Sequence, residues 1–427
     1  MLVTTAIVLL ALIAFGFHIA VVLGILAFFL SVVYSPFPLD AAFGEVAWSH
    51  SIDFVLVAIP LFIMMGEILL RSGIANSMYA AMTQWLSWLP GGLMHANIGT
   101  STLFAATSGS SVATAATIGT TAMPQIGKWG YNERLFLGSL AAGGTLGILI
   151  PPSINMILYG FLTDTSVPQL FLAGIVPGLM LAGLFMVTIL LACIIRPAWS
   201  GRSVATSWSA RWRSLGDLAT PVLLFLIVIG SIYAGWATPT EAAAIGVIAS
   251  FGFAAWRRKL SWAMLRTVME GTIRTSAMMI LITILAFLLN FVIGAVGLVG
   301  QVNQAIASLG WSPMTTMIFI IAIFLLLGMF MDTLAMIVLT IPVVTPIVVG
   351  LGFDPVWFGV MMVLIAETSV LTPPIGMLCY VIQGIRRSGR LTDVFIGVAP
   401  FVLTLLAMIG ILLAFPQIAL WLPETYY

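Results

Sequence analysis

Apolar residues run along this chain in blocks long enough to cross roughly 30 Å of hydrocarbon. In the first half they predict spans near residues 2–15, 17–34, 54–71, 135–162 and 168–195. In the second half the blocks fall near 219–236, 237–256, 276–294, 355–383 and 394–416. Two further regions, 93–127 and 312–350, are too long for one crossing and break at their middles, which predicts re-entrant helical hairpins. Segments 74–90, 259–274 and 297–309 are shorter and mixed in polarity, as at Met78, Met82, Trp85 and Leu89. They read either as arms lying along the membrane interface or as ordinary connecting helices.

Two of the long apolar runs carry adjacent prolines in matching surroundings: Gly147-Ile-Leu-Ile-Pro151-Pro152 and Ser369-Val-Leu-Thr-Pro373-Pro374. Proline has no N–H to donate and its ring clashes one turn back, so each doublet breaks its helix and frees backbone carbonyls that lipid cannot satisfy. Such a break persists only around a polar ligand or a cavity. Paired interruptions in corresponding halves of a membrane chain point to a transporter's binding site, where freed carbonyls suit cations and helix N-termini suit anions.

Of the 427 residues, 61% are hydrophobic and 7% charged, against roughly 25% charged in a soluble domain. The chain therefore reads as an all-α polytopic membrane protein. A net charge of +1 without a long basic run argues against nucleic acid as a partner. The two cysteines, Cys193 and Cys379, lie in apolar segments and suggest neither a disulfide framework nor a metal cluster. Met1 to Gly16 lacks a basic leading region and runs straight into further apolar sequence, so no cleavable signal peptide is expected. The methionines and tryptophans are most simply explained as lipid-facing and interfacial-belt residues.

The fifteen basic residues fall into five places: Arg71; Lys128 and Arg134; Arg196 to Arg213; Arg257 to Arg274; and Arg386 to Arg390. Placing all five on the cytoplasmic side satisfies every predicted crossing and the positive-inside rule. Asp40, Glu45, Asp53, Asp164, Asp354 and Glu424 then lie on the opposite face. Under this topology the first hairpin enters from the cytoplasm and the second from outside, which is the signature of an inverted repeat. Ser108 precedes Pro151 by almost the same interval as Asp332 precedes Pro373.

Residues 95–127 contain no Asp, Glu, Lys or Arg, yet carry Thr107-Ser108-Gly109-Ser110-Ser111. Small residues let backbones approach closely, and hydroxyls with free carbonyls offer hard oxygen ligands that suit sodium. Small-residue clusters also simply pack helices, but opposite Gly147 to Pro152 that is the weaker reading. The second hairpin centres on Gly328-Met-Phe-Met-Asp332-Thr333, where Asp332 is the only ionisable residue between Arg274 and Asp354. An ionisable group at membrane depth is a functional candidate by default. Asp332 has three readings: a neighbour of a sodium site, an orienter of the hairpin tip, or a cap on a half-helix N-terminus. Glu367, just before Thr372, is the other interior carboxylate and shares the functional and structural readings. His18, His50 and His95 are scattered, no His or Cys pair has zinc spacing, and the serine cluster lacks a nearby histidine or lysine. Nothing in this inventory favours an enzyme.

Taken together, Ser108-Gly-Ser-Ser-Val-Ala-Thr-Ala, Gly144-Thr-Leu-Gly-Ile-Leu-Ile-Pro-Pro-Ser153, Gly328-Met-Phe-Met-Asp332 and Thr372-Pro-Pro-Ile-Gly376 resemble the large membrane subunit of TRAP transporters, the DctM-type permease. The resemblance covers essentially the whole chain. It implies a tripartite system in a bacterial inner membrane, with a small four-helix membrane subunit (DctQ type) and a periplasmic protein (DctP type) that captures an organic acid. It also implies sodium-driven uptake by an elevator movement, with no cofactor beyond Na+ as coupling ion. One sodium site would use Ser108, Gly147, Ile150 and Pro152. The other would use Gly328, Ser369, Thr372 and Ile375. Ser369 stands where a glycine is usual and Ile375 where a methionine occurs, which ligation through backbone carbonyls tolerates. Ser110, Ser111, Asp332, Thr333, Pro151, Pro373 and Glu367 are candidates for the substrate or the hairpin tips. No Arg lies in either hairpin, so the arginine clamp of some sialate relatives has no counterpart here.

On this resemblance residues 1–92 and 201–311 form the scaffold of the two repeats, and 93–200 and 312–427 the transport part. Sodium-coupled import of a small organic anion is the leading expectation: a C4-dicarboxylate, a sialic or other sugar acid, or a sulfonate. A stand-alone sodium- or proton-coupled carboxylate carrier or antiporter of the same architecture is the alternative, and adjacent genes for the two partner proteins would discriminate. An intramembrane enzyme would need a catalytic pair facing one cavity, for which only Asp332 and Glu367 are available.

Overall fold

The computed structural model describes residues 1–202, 204 and 206–427, and every regular element among them is helical. The first hairpin is formed by helices Gly92–Ser108 and Ser111–Ala122, the second by Pro313–Gly328 and Thr333–Gly350. Each is followed by a broken helix: Glu133–Leu149 with Ile154–Thr163, and Pro355–Ser369 with Met377–Arg386. The halves of the first broken helix are bent by 40°. A long helix closes each repeat, Val167–Ile195 and Leu391–Ala414.

These elements pack as one central bundle, and backbone proximity holds it together. A methyl group at Gly138 would overlap the Gly397 carbonyl, and one at Gly397 would overlap the Arg134 carbonyl, so Glu133–Leu149 and Leu391–Ala414 touch main chain to main chain. Glycine permits this approach, and packing in lipid rewards it through van der Waals contact. At the same crossing Arg134 Nε donates to Asp393 Oδ1 at 2.9 Å and Arg386 Nε to Glu133 Oε1 at 2.8 Å. The two repeats are thus joined by charge as well as by shape.

The remaining helices flank this bundle. Trp262–Ala295 packs against Ile19–Tyr34, Ala58–Arg71 and Phe43–Ser51, and Ala58–Arg71 also packs against Pro239–Trp256. Contacts gather most of the basic segments at one end. Arg257 donates to Ser77 and lies 3.7 Å from Asp217, Arg211 donates to the Gln84 carbonyl, and the Arg202 N–H donates to the Trp129 carbonyl. At the opposite end the Tyr159 hydroxyl donates to the Pro355 carbonyl at 2.8 Å. There too His50 stacks on Phe287 at 3.7 Å, beside Asp53 and Asp164, and burial holds its imidazole below the usual value.

Several boundaries differ from the sequence expectation. Segments 259–274 and 276–294 are one continuous helix, Trp262–Ala295, because no proline interrupts the join where polarity changes. The span expected from 219 begins at Trp208, where the Ser207 side chain caps the helix. Helices Phe43–Ser51 and Gln417–Tyr426 lie outside the expected set. Among the described residues six helices are long and apolar enough for a full crossing, or seven with the bent pair; Thr333–Gly350 is a hairpin helix, so five of the ten expected spans are single helices of that length and a sixth is the bent pair. Leu2–Ala14 and Ile19–Tyr34 are shorter than a crossing needs, and the second broken helix is divided. Many methionines are core residues rather than lipid-facing ones, including Met65, Met78, Met156, Met336, Met361 and Met408. Unbranched thioethers fill irregular gaps between helices.

Candidate functional site

Each hairpin tip is built from local capping chemistry. In the first, Gly109 takes a left-handed turn at φ +59°, which ends the preceding helix at Ser108 without the strain a side chain would add. Ser110 then caps the next helix by accepting from the Ala113 N–H at 3.3 Å, and Ser108 Oγ bonds Thr114 Oγ1 at 2.9 Å. In the second, Asp332 is the cap, accepting from the Ala335 N–H at 2.6 Å. Of its three sequence readings this is the contact the structure contains. Asp332→Ala should lower stability by about 1 kcal/mol while Asp332→Asn retains most of it; thermal unfolding of the two purified variants distinguishes them.

Each tip docks on the break of its own repeat. A methyl at Gly147 would lie 2.6 Å from the Ser110 carbonyl oxygen, and one at Gly109 would lie 2.9 Å from the Pro152 carbonyl oxygen. Ser108, Gly147 and Pro152 are therefore gathered in one place. The side chain of Ile150 points away, against Gly178. In the second repeat Gly328 touches the Ser369 side chain so closely that a methyl would overlap it. Ser369 Oγ donates to the Ile365 carbonyl at 2.8 Å and Thr372 Oγ1 to the Thr368 carbonyl at 2.7 Å. Pro373 and Ile375 lie exposed in the open turn beyond. Both Pro–Pro bonds, Pro151–Pro152 and Pro373–Pro374, are cis.

The two docked tips face a single cavity of about 370 Å³. Ser108, Ser110, Ser111, Asp332 and Thr333 line it, while Gly147 and Pro152 stand behind the first tip. Four helices present N-terminal residues to this space: Ser111–Ala122, Ile154–Thr163, Thr333–Gly350 and Met377–Arg386. The positive dipole ends and the first-turn N–H groups that the Ser110, Ser153 and Asp332 caps leave free favour an anion, while Asp332 and Glu67 are the charged side chains in the lining. Asn155, which sequence reasoning missed, lines it with its amide nitrogen buried and unpartnered. The flanking helices complete the wall, with Ile63, Gly66, Glu67 and Leu70 on one, where Gly66 meets the Ser108 backbone, and Thr275, Met278 and Met279 on the other. Glu67 is ion-paired with Arg71 one turn on, an i,i+4 spacing that was readable in the sequence.

Glu367 does not line the cavity. It is fully buried, accepting from Ser111 Oγ at 2.6 Å through Oε1, with Oε2 unpartnered. Asp332 and Glu367 thus do not form a facing pair.

The sequence matches the family described as "Tripartite ATP-independent periplasmic transporter, DctM component" over residues 6–418. This chain belongs to that family. It is 33% identical to the C4-dicarboxylate TRAP transporter large permease protein DctM of Rhodobacter capsulatus, covering 97% of each chain. It is 30% identical to the sialic acid TRAP transporter large permease protein SiaM of Vibrio cholerae, over 88% of this chain and 87% of the relative. In fold it is similar to the crystal structure of the YdaH transporter of Alcanivorax borkumensis, with a TM-score of 0.65, 14% identity and coverage of 95% and 98%. As a DctM component the chain is a multi-pass membrane protein of a transport system. Its paired hairpins and broken helices line the cavity together with two flanking helices.

Proposed function

We propose that this chain is the large membrane subunit of a sodium-coupled TRAP importer in a bacterial inner membrane, moving a small organic acid delivered by a periplasmic binding protein. A small four-helix membrane subunit completes the complex. The observation that carries the reading is the convergence of four helix N-termini on one cavity whose wall is shared between the central bundle and the flanking helices. Carboxylate or sulfonate would be held by N–H groups rather than by a cation. Relatives named for C4-dicarboxylates and for sialic acid agree with an acidic cargo.

Sodium would occupy the two tip-to-break junctions, Ser108 with Gly147, Ile150 and Pro152, and Gly328 with Ser369, Thr372 and Ile375. Bound there it offsets the cargo's charge and holds both tips closed. Residues 93–200 and 312–427 would move as the transport part against a scaffold of 1–92 and 201–311. Gly66 and Ser108, whose backbones meet at the edge of the cavity, would then lie on that sliding boundary.

Reconstituted with its two partners, the chain should take up the radiolabelled acid recognised by the cognate binding protein only under an inward sodium gradient. Equal uptake driven by a proton gradient alone overturns the coupling. Thr372→Ala is expected to raise the half-saturating sodium concentration about tenfold; an unchanged sodium response removes that hydroxyl from the site.

A further inference from the structure

Ser111 and Glu367 come from different repeats, 256 residues apart, yet share a 2.6 Å hydrogen bond in the centre of the bundle. Burying a carboxylate fully with one oxygen unpartnered is costly, and a lone bond to a hydroxyl does not compensate for it. Packing alone would be better served by leucine or methionine at this position. The position itself supplies a reason for the acid.

Ser111 follows Ser110, whose carbonyl abuts Gly147 in the first junction. Glu367 precedes Ser369, whose side chain abuts Gly328 in the second, and both sit on helix Pro355–Ser369. A path therefore runs from Gly147 through Ser110 and Ser111, across the bond to Glu367, and along helix Pro355–Ser369 to Ser369 and Gly328. We propose that Glu367 is a positioning residue, a strut that ties the first hairpin's tip to the second broken helix so that filling one junction sets the geometry of the other. The proposal rests on reading both junctions as sodium sites. The bond is at the short end for a hydroxyl donor, which suits a contact that fixes one element against another.

The test uses sodium itself as probe, replaced by choline to keep ionic strength constant, and reads the thermal unfolding midpoint of the purified chain. Wild type should respond sigmoidally. Ser111→Ala and Glu367→Leu each remove the bond, so each curve should become hyperbolic with the half-saturating concentration raised about tenfold. The double variant should lose no more than either single one, as expected of two ends of one interaction. Glu367→Gln keeps an accepting oxygen and should remain sigmoidal. A role confined to packing would lower every midpoint and leave the curve shape unchanged, and that result overturns the proposal. If wild type shows no sodium response, the sodium reading fails. Hydrogen exchange then decides the strut: faster exchange across residues 107–113 in Glu367→Leu than in Glu367→Gln supports it, and equal exchange rejects it.

Discussion

Gly147→Ala is expected to reduce sodium-driven uptake by about ten- to a hundredfold while leaving the chain folded in the membrane. The added methyl would lie 2.6 Å from the Ser110 carbonyl oxygen, 2.7 Å from its carbon and 2.8 Å from the Ser111 Cα. All three are main-chain atoms, so no rotamer change relieves the clash and the first hairpin's tip has to lift off the break. Oxygen ligands around a hard cation work within a few tenths of an ångström. Lifting the tip opens the junction to water and separates Gly109 from the Pro152 carbonyl. Overpacking of this kind costs about 1–3 kcal/mol, which many surrounding contacts absorb in stability but the ion site does not. Uptake measured in proteoliposomes, normalised to inserted protein, reads the effect. Activity within twofold of wild type would show that the junction is not an ion site.

Gly397→Ala should do the reverse, damaging the fold first. Its methyl would overlap the Arg134 carbonyl, and Gly138 faces Gly397 in return, so neither helix can rotate to make room. Separating Glu133–Leu149 from Leu391–Ala414 also pulls apart the Arg134–Asp393 and Arg386–Glu133 pairs at that crossing. The first of these helices carries Gly147 at its far end, so a shift at the crossing propagates to the junction. We expect a loss of about 3 kcal/mol or more, at the upper end for overpacking, seen as a lower unfolding midpoint and poor recovery of monodisperse protein. An unchanged midpoint would mean the two helices are not in main-chain contact.

Much of the site was legible because its key signals are local. A proline doublet breaks a helix whatever surrounds it, and Thr107 to Ser111 breaks the first hairpin through glycine and serine chemistry confined to a few residues. Basic residues mark one face of the membrane for the same reason, each acting alone. The expectation failed where a polarity change was taken for a chain break, as at Arg274 in the continuous helix Trp262–Ala295. It also failed for the methionines, whose flexibility suits a tightly packed interior as well as a lipid surface.

By itself the sequence determined that the chain is helical and membrane-embedded, that it repeats, and where each repeat unwinds, since these follow from hydropathy, proline geometry and charge placement within single segments. Only the tertiary structure decided that four helix N-termini open on one cavity, that Gly66 meets Ser108 at its edge, and that Ser111 meets Glu367. Those are meetings between residues far apart along the chain. They depend on which backbones can approach, as at Gly138 and Gly397, and packing of that kind leaves no periodic trace in one sequence.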